Sequence, residues 1–276
     1  MENIKVVWFQ SGTCTGCTIS VLNSSSLKIK NLLLDEIVPG KAVSLVFQST
    51  IMAESGEKVI EVLKEENLKK DFFLVVEGVI PTKDGGIYGK IGEKTFLEIL
   101  YDLMENCKGI ICIGSCSCFG GIPASLPNPT GCKPVKEIME ERKIEKLLIN
   151  IPGCPPHPDW FLGTITKIII GAEIKLDELN RPLDFYSRLI HENCPRRPYF
   201  DKGAFAKSFS EEGCLYLVGC KGPFTYADCP IREWNGGTNW CIKNNSPCFG
   251  CTEPEFIDKN SPLFKRKEIE KIGEQK

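Results

Sequence analysis

From residue 4 to about residue 150, short apolar runs alternate with amphipathic segments, which is the pattern of a parallel sheet with helices on its faces. The runs IKVVWF (4 to 9), AVSLVF (42 to 47), FFLVVE (72 to 77), GIICIG (109 to 114) and LLINI (147 to 151) predict strands. Between them EKVIEVLKEENL (57 to 68), EKTFLEILYDLMENC (93 to 107) and KPVKEIMEERK (133 to 143) space their apolar residues at three and four, which predicts helices. PDWFLGTITKIIIGA (158 to 172) predicts one more, closing a doubly wound α/β domain over residues 1 to 172. Beyond about residue 173 both periods fade. Residues 173 to 276 therefore predict a second, irregular domain whose core is small and whose shape something else must fix.

The segments after the predicted strands carry the chemistry. The first strand runs into SGTCTGC with Cys14 and Cys17, the third into EGVIP with Glu77, the fourth into GSCSCFGG with Cys116 and Cys118, and the fifth into PGCPPHP with Cys154. In an open parallel sheet the loops at the carboxyl ends of the strands converge on one edge, where ligands bind. A flavodoxin-like arrangement thus brings segments as far apart as Cys14 and Cys154 into one small volume, and a metal site fed by three loops is the economical reading. A redox dithiol at Cys14 and Cys17 leaves the later cysteine loops unused. Four thiolates would also suit zinc, while a flavin phosphate site has no use for cysteine.

Composition changes the picture at one residue type. A net charge of -2 excludes an electrostatic lean toward nucleic acid or anionic membrane, and a chain of 276 residues needs no crosslink to fold. Its fifteen cysteines call for another reason, and seven of them lie with His191 between His191 and Cys251, among Gly, Pro, Asn and Asp rather than at core periods. In sequence order they form two four-ligand groups, His191, Cys194, Cys214 and Cys220, then Cys229, Cys241, Cys248 and Cys251. Zinc could serve each. The glycines and prolines beside the cysteines, the irregular gaps and the separate cysteine assembly in the first domain favour iron-sulfur clusters, chains of which carry electrons. His157 reads as structural, and Trp234, Trp240 and Phe249 as packing around clusters. MENIKVVWFQ carries no export signal and no run approaches the length of a membrane span, so a cytoplasmic location is expected, with an exported form as the alternative if the sequence is processed. The tail KRKEIEKIGEQK predicts a frayed, solvated helix.

WFQSGTCTGCTISVLNS, LVVEGVIP, GSCSCFGGIPA, NIPGCPPHPDW, HENCPRRPYFDKG, GCKGPFTYADCP and WNGGTNWCIKNNSPCFGCTEPEF together resemble the small subunit of nickel-iron hydrogenases nearly end to end. The resemblance implies a flavodoxin-like domain holding a proximal 4Fe-4S cluster on Cys14, Cys17, Cys116 and Cys154, with Glu77 beside it, and an irregular iron-sulfur domain holding two more. It implies a distal 4Fe-4S cluster on His191, Cys194, Cys214 and Cys220 and a medial one on Cys229, Cys241, Cys248 and Cys251. Many members have proline where this chain has Cys241, which leaves a 3Fe-4S medial cluster; WNGGTNWC resembles the nickel-iron-selenium branch instead, and three 4Fe-4S clusters are expected.

The implied partners are a large subunit carrying the nickel-iron site, where the hydrogen chemistry takes place, and an external electron carrier. No catalytic residue is expected on this chain. The extra cysteines of oxygen-tolerant members are absent at Thr13, Gly16 and Gly121, which implies oxygen sensitivity, and Cys107, Cys112, Cys118 and Cys132 are left as structural. The alternatives are an iron-sulfur subunit of another respiratory complex, which would lack the module from His191 to Cys251, and a zinc-stabilised interaction protein.

Overall fold

A computed structural model describes residues 4–28, 30–31, 41–257 and 264–267, in two compact units, Met1–Pro182 and Leu183–Lys276. The first unit is built on five parallel strands, β1 (Ile4–Gln10), β2 (Val43–Gln48), β3 (Phe73–Glu77), β4 (Gly109–Ile113) and β5 (Leu148–Ile151). Their order, β2-β1-β3-β4-β5, is that of flavodoxin. The strands read as continuous apolar runs because helices cover both faces. Val7, Phe9, Leu74, Val76 and Ile110 lie in a core with Leu100, Leu103, Met104 and Ile138 from the helices, while on the other face Trp8 packs against Phe161 with ring centroids 4.9 Å apart.

Among the described residues the helices that accompany this sheet include α1 (Gly16–Leu22), α2 (Glu57–Lys69), α3 (Phe96–Asn106), α4 (Ser115–Phe119), α5 (Val135–Glu141) and α6 (Pro158–Ile170). α3 begins where Thr95 and Glu98 form a capping box, each side chain satisfying an amide of the other's segment. α6 starts on Pro158 behind His157, whose Nδ1 accepts the Asp159 amide at 3.1 Å, and it ends at Gly171 in the left-handed region. His157 is therefore a helix cap, in keeping with its structural reading. The helices α1 and α4, seven and five residues long, were not expected from periodicity. The first unit runs on to Pro182, and Asn150 on β5 donates its backbone amide to Asn180 O and its side-chain amide to Leu179 O.

In the second unit the described residues form single helical turns joined by irregular chain and isolated bridges such as Leu189 to Tyr226 and Phe205 to Cys214. Residues 264–267 of the expected tail helix are not helical, and residues 268–276 lie outside the described residues.

Candidate metal centres

Sheet register determines where the first cysteines fall. Gln10 pairs with Glu77, Glu77 with Ile113, and Ile113 with Ile151, so four strands end on one row. The chains leaving that row bring Cys14, Cys17, Cys116 and Cys154 together at the sheet edge. α1 and α4 then place Cys17 and Cys116 in their first turns. Glycine makes the space: at Gly114 (φ +92°) an added Cβ would stand 2.5 Å from Cys17 Sγ, and at Gly121 (φ +52°) 3.1 Å from Cys116 Sγ.

Burial and mutual charge both oppose ionisation here. The Cys17 thiol is held well above the ordinary range by burial, then by the charges of Glu77, Cys116, Cys14 and Cys154. Cys116 is pushed up to about 12 by burial, with Cys154 and Cys14 the next causes, and Cys154 is raised by burial and by Cys14. Four thiolates can coexist in this volume only if cations neutralise them. The same effects make Cys132 a neighbour of Cys116, although it stands apart on a two-residue ladder with Ile80–Pro81. Cys107, Cys112 and Cys118 lie in the apolar core.

Glu77 is fully buried beside this site. Its Oε2 accepts Trp8 Nε1 at 3.0 Å, Gln10 Nε2 at 3.3 Å and the Thr18 hydroxyl at 2.5 Å; its Oε1 accepts the Thr13 hydroxyl at 3.1 Å and the Thr18 amide at 3.3 Å. The Thr18 amide is one of the orphan donors at the start of α1, so a carboxylate from β3 caps the helix that carries Cys17. Sequence reading singled out Glu77 but missed its partners Trp8, Gln10 and Thr18, which belong to no cysteine motif.

In the second unit His191, Cys194, Cys214 and Cys220 line one small cavity with Arg196, Tyr216 and Pro223. The His191 Nε2 is buried with no hydrogen-bond partner, and its ring stands edge-on to Phe200 at 4.5 Å. Burial, then the charge of Arg197, lowers its pKa, which keeps the imidazole neutral with a lone pair to offer. Burial raises the thiols of Cys194, Cys214 (to about 11) and Cys220, while the backbone amide two residues on, from Arg196, Tyr216 and Gly222, is directed at each sulfur and favours the thiolate. For Cys220 that Gly222 contact is 3.4 Å.

Cys229, Cys241, Cys248 and Cys251 form the third set. Cys229 is held well above the ordinary range by burial, then by Cys251, Asp228 and Cys241, with the Trp234 side chain hydrogen-bonded to its thiol. Cys248 is raised by burial, then by Cys220 and Cys251, and Cys241 by burial and then Cys220. In the second unit the thiols of Cys241 and Cys248 feel Cys220 ahead of any other cysteine, so the two expected sets adjoin there. Among the described residues no three His, Cys, Asp or Glu side chains close to the spacing that holds a single ion.

Fold and thiol sets define a class first. Residues 14–168 match the family model for the NADH ubiquinone oxidoreductase 20 Kd subunit, which makes the first unit a domain of multisubunit redox enzymes. Residues 186–264 match the family model for the C-terminal part of the NiFe/NiFeSe hydrogenase small subunit. The chain is 43% identical to the periplasmic [NiFeSe] hydrogenase small subunit of Desulfomicrobium baculatum, over 95% of this chain and 87% of that protein. It is 41% identical to the periplasmic [NiFe] hydrogenase small subunit 1 of Nitratidesulfovibrio vulgaris, over 94% and 81%. A solved structure of the Dm. baculatum [NiFeSe] hydrogenase superposes with a TM-score of 0.89 at 41% identity, covering 97% of this chain and 100% of that one.

The chain belongs to the NiFe/NiFeSe hydrogenase small-subunit family. It is the small, electron-transferring subunit of an oxidoreductase acting on hydrogen, and a large subunit is its partner. Both relatives are periplasmic by name, which sits against the cytoplasmic expectation. No helix among the described residues is long and apolar enough to cross a membrane.

Proposed function

We propose that this subunit relays electrons between a nickel-iron site on the large subunit and an external carrier through three 4Fe-4S clusters. Cys14, Cys17, Cys116 and Cys154 would hold the proximal cluster on the domain expected over 1 to 172, which is compact to Pro182. His191, Cys194, Cys214 and Cys220 would hold the distal cluster, and Cys229, Cys241, Cys248 and Cys251 the medial cluster, on the second domain. Bound there, each cluster would take up and release one electron at a time. The residues hold the sulfurs in place, exclude water by burial and weight the charge. Glu77 adds a buried anion at the proximal set, whereas a neutral histidine and three directed amides favour electron uptake at the distal set. What supports the reading is the gathering of Cys14, Cys17, Cys116 and Cys154 at the sheet edge and of His191, Cys194, Cys214 and Cys220 around one cavity.

Cys241 decides the medial cluster. Protein purified anaerobically with its large subunit should be brown, contain about four irons per site at three sites and show no 3Fe-type paramagnetic signal when oxidised. Cys241→Pro should create that signal. A strong 3Fe signal in the unaltered protein would overturn the medial assignment, and colourless protein containing zinc would overturn the whole reading. The periplasmic relatives favour the exported alternative for location, which fractionation of cells expressing the subunit decides.

A further inference from the structure

Although the whole chain carries a net charge of -2, the segments around the His191 to Cys220 cavity do not share it: residues 191–224 and 264–267 hold eight lysines and arginines against four carboxylates. Three of these cations come from one strap. Phe264, Lys265, Arg266 and Lys267 lie across the turn that joins Cys214 to Cys220: the Lys267 amide donates to Leu217 O at 3.0 Å, and the backbone of Lys265 passes so close to Gly219 that a Cβ there would stand 3.0 Å from it. Phe264 anchors the strap between Phe209 and Phe249, at 5.7 and 5.9 Å. The Lys267 ammonium sits 4.0 Å from the ring centroid of Tyr216, which lines the cavity, and 4.9 Å from that of Phe224. Phe224 itself is 52% exposed next to cavity-lining Pro223.

The result is an exposed aromatic ring with a lysine on it, beside the proposed electron exit, with Lys265 and Arg266 exposed on the same strap and Arg196 lining the cavity. Arg197 is shared with Asp201 at 2.8 Å, and Glu192 is exposed next to His191, so the surplus rests on the strap and Arg196. We propose that this face docks an acidic protein electron carrier, with Phe224 as the apolar centre of the contact and the strap as its basic rim. Charges on a docking rim act mainly by steering encounter, and salt screens them over a Debye length of about 8 Å at 0.15 M. The inference rests on the reading of His191, Cys194, Cys214 and Cys220 as the exit cluster.

The test uses the anaerobic complex with its large subunit and three acceptors: an acidic 2Fe-2S ferredoxin, a basic c-type cytochrome and the dication methyl viologen. Hydrogen-dependent ferredoxin reduction should saturate at the lowest KM of the two proteins, and that KM should rise several-fold with salt. Lys267→Glu and Arg266→Glu should each raise the ferredoxin KM about tenfold at low salt with kcat unchanged, and lower the KM for viologen. Lys267→Gln should fall between, which separates charge from packing on the rings. A ferredoxin KM indifferent to salt and to both reversals, or a lower KM for the basic cytochrome, overturns the proposal. Loss of viologen reduction by the unaltered complex would instead overturn the electron-relay reading itself.

Discussion

Replacing Glu77 by glutamine keeps the shape of the side chain and removes its charge at a point where five donors converge. Oε1 serves the Thr13 hydroxyl and the Thr18 amide, and Oε2 serves Trp8, Gln10 and the Thr18 hydroxyl. An amide nitrogen in either position faces one N–H that cannot accept, the Thr18 amide at Oε1 or the Trp8 indole at Oε2. Thr13 is half-buried and its hydroxyl can turn to water; the Thr18 hydroxyl and Gln10 can pair with each other at 3.1 Å. The Thr18 amide and the Trp8 indole cannot move. One of them loses its acceptor whichever way the new amide faces, and the rest exchange a charged acceptor for a neutral one. A hydrogen bond to a charged group contributes about 1.5–3 kcal/mol, so the loss should be about 2–4 kcal/mol, concentrated at the start of α1.

Unfolding of a cofactor-bearing complex is not two-state, so the better assay is amide hydrogen exchange in the intact heterodimer. At about 1.4 kcal/mol per factor of ten, whichever of the Thr18 amide and the Trp8 indole N–H faces the new amide nitrogen should exchange roughly 30- to 700-fold faster in Glu77→Gln. Removing the anion should also raise the midpoint potential of the proximal cluster relative to the other two. A cycle with Trp8→Phe isolates the indole contact. Exchange within twofold of the unaltered protein at both the Thr18 amide and the Trp8 indole, or a proximal potential that does not move, would refute the placement of a charged Glu77 as cap and neighbour of Cys17.

Gly114→Ala should disrupt the proximal set alone, because its Cβ would stand 2.5 Å from Cys17 Sγ at a φ that side chains resist; iron analysis should show the loss of one cluster's worth of iron with the distal signal intact. Thr95→Ala removes the capping box of α3 and should cost about 1 kcal/mol in thermal stability. The Glu98 carboxyl is held below its ordinary range by the Thr95 amide and then the Thr95 hydroxyl, so its contribution is present above a pH of about 4.3 and lost as the pH falls through the lowered value; in Thr95→Ala this part of the acid response should shrink.

How much of this could be read from the chain depends on what stabilises each part. The five strands were legible because each is buried on both faces and shows as an unbroken apolar run, and α2, α3, α5 and α6 because one face meets the sheet. α1 and α4 were not. At seven and five residues, rich in Gly, Ser, Thr and Cys, they are too short to persist on their own. α1 is capped by Glu77 from 59 residues away, and no local pattern encodes that contact. The ties of Leu179 and Asn180 to Asn150 likewise carry no period.

The cysteines divide differently. Strand ends predicted which loops would meet in the first unit, and once the register aligned Gln10, Glu77, Ile113 and Ile151 the set followed. In the second unit no regular element guides the grouping, and it rests on sequence order and the family resemblance. What order conceals is the join between the two sets. Cys229 is the next cysteine after Cys220 in sequence, yet it is Cys248, 28 residues on, that feels Cys220 ahead of every other charge. The Cys248 amide is directed at the Cys220 sulfur, and the Lys221 amide donates to Cys248 O at 2.6 Å. Two hydrogen bonds therefore link the chain at one proposed cluster to the chain at the next. That contact comes from the turn at Gly219 to Gly222 and the glycine after Phe249, which is turn chemistry and not cysteine spacing, so a count of cysteines finds both clusters but not the connection between them.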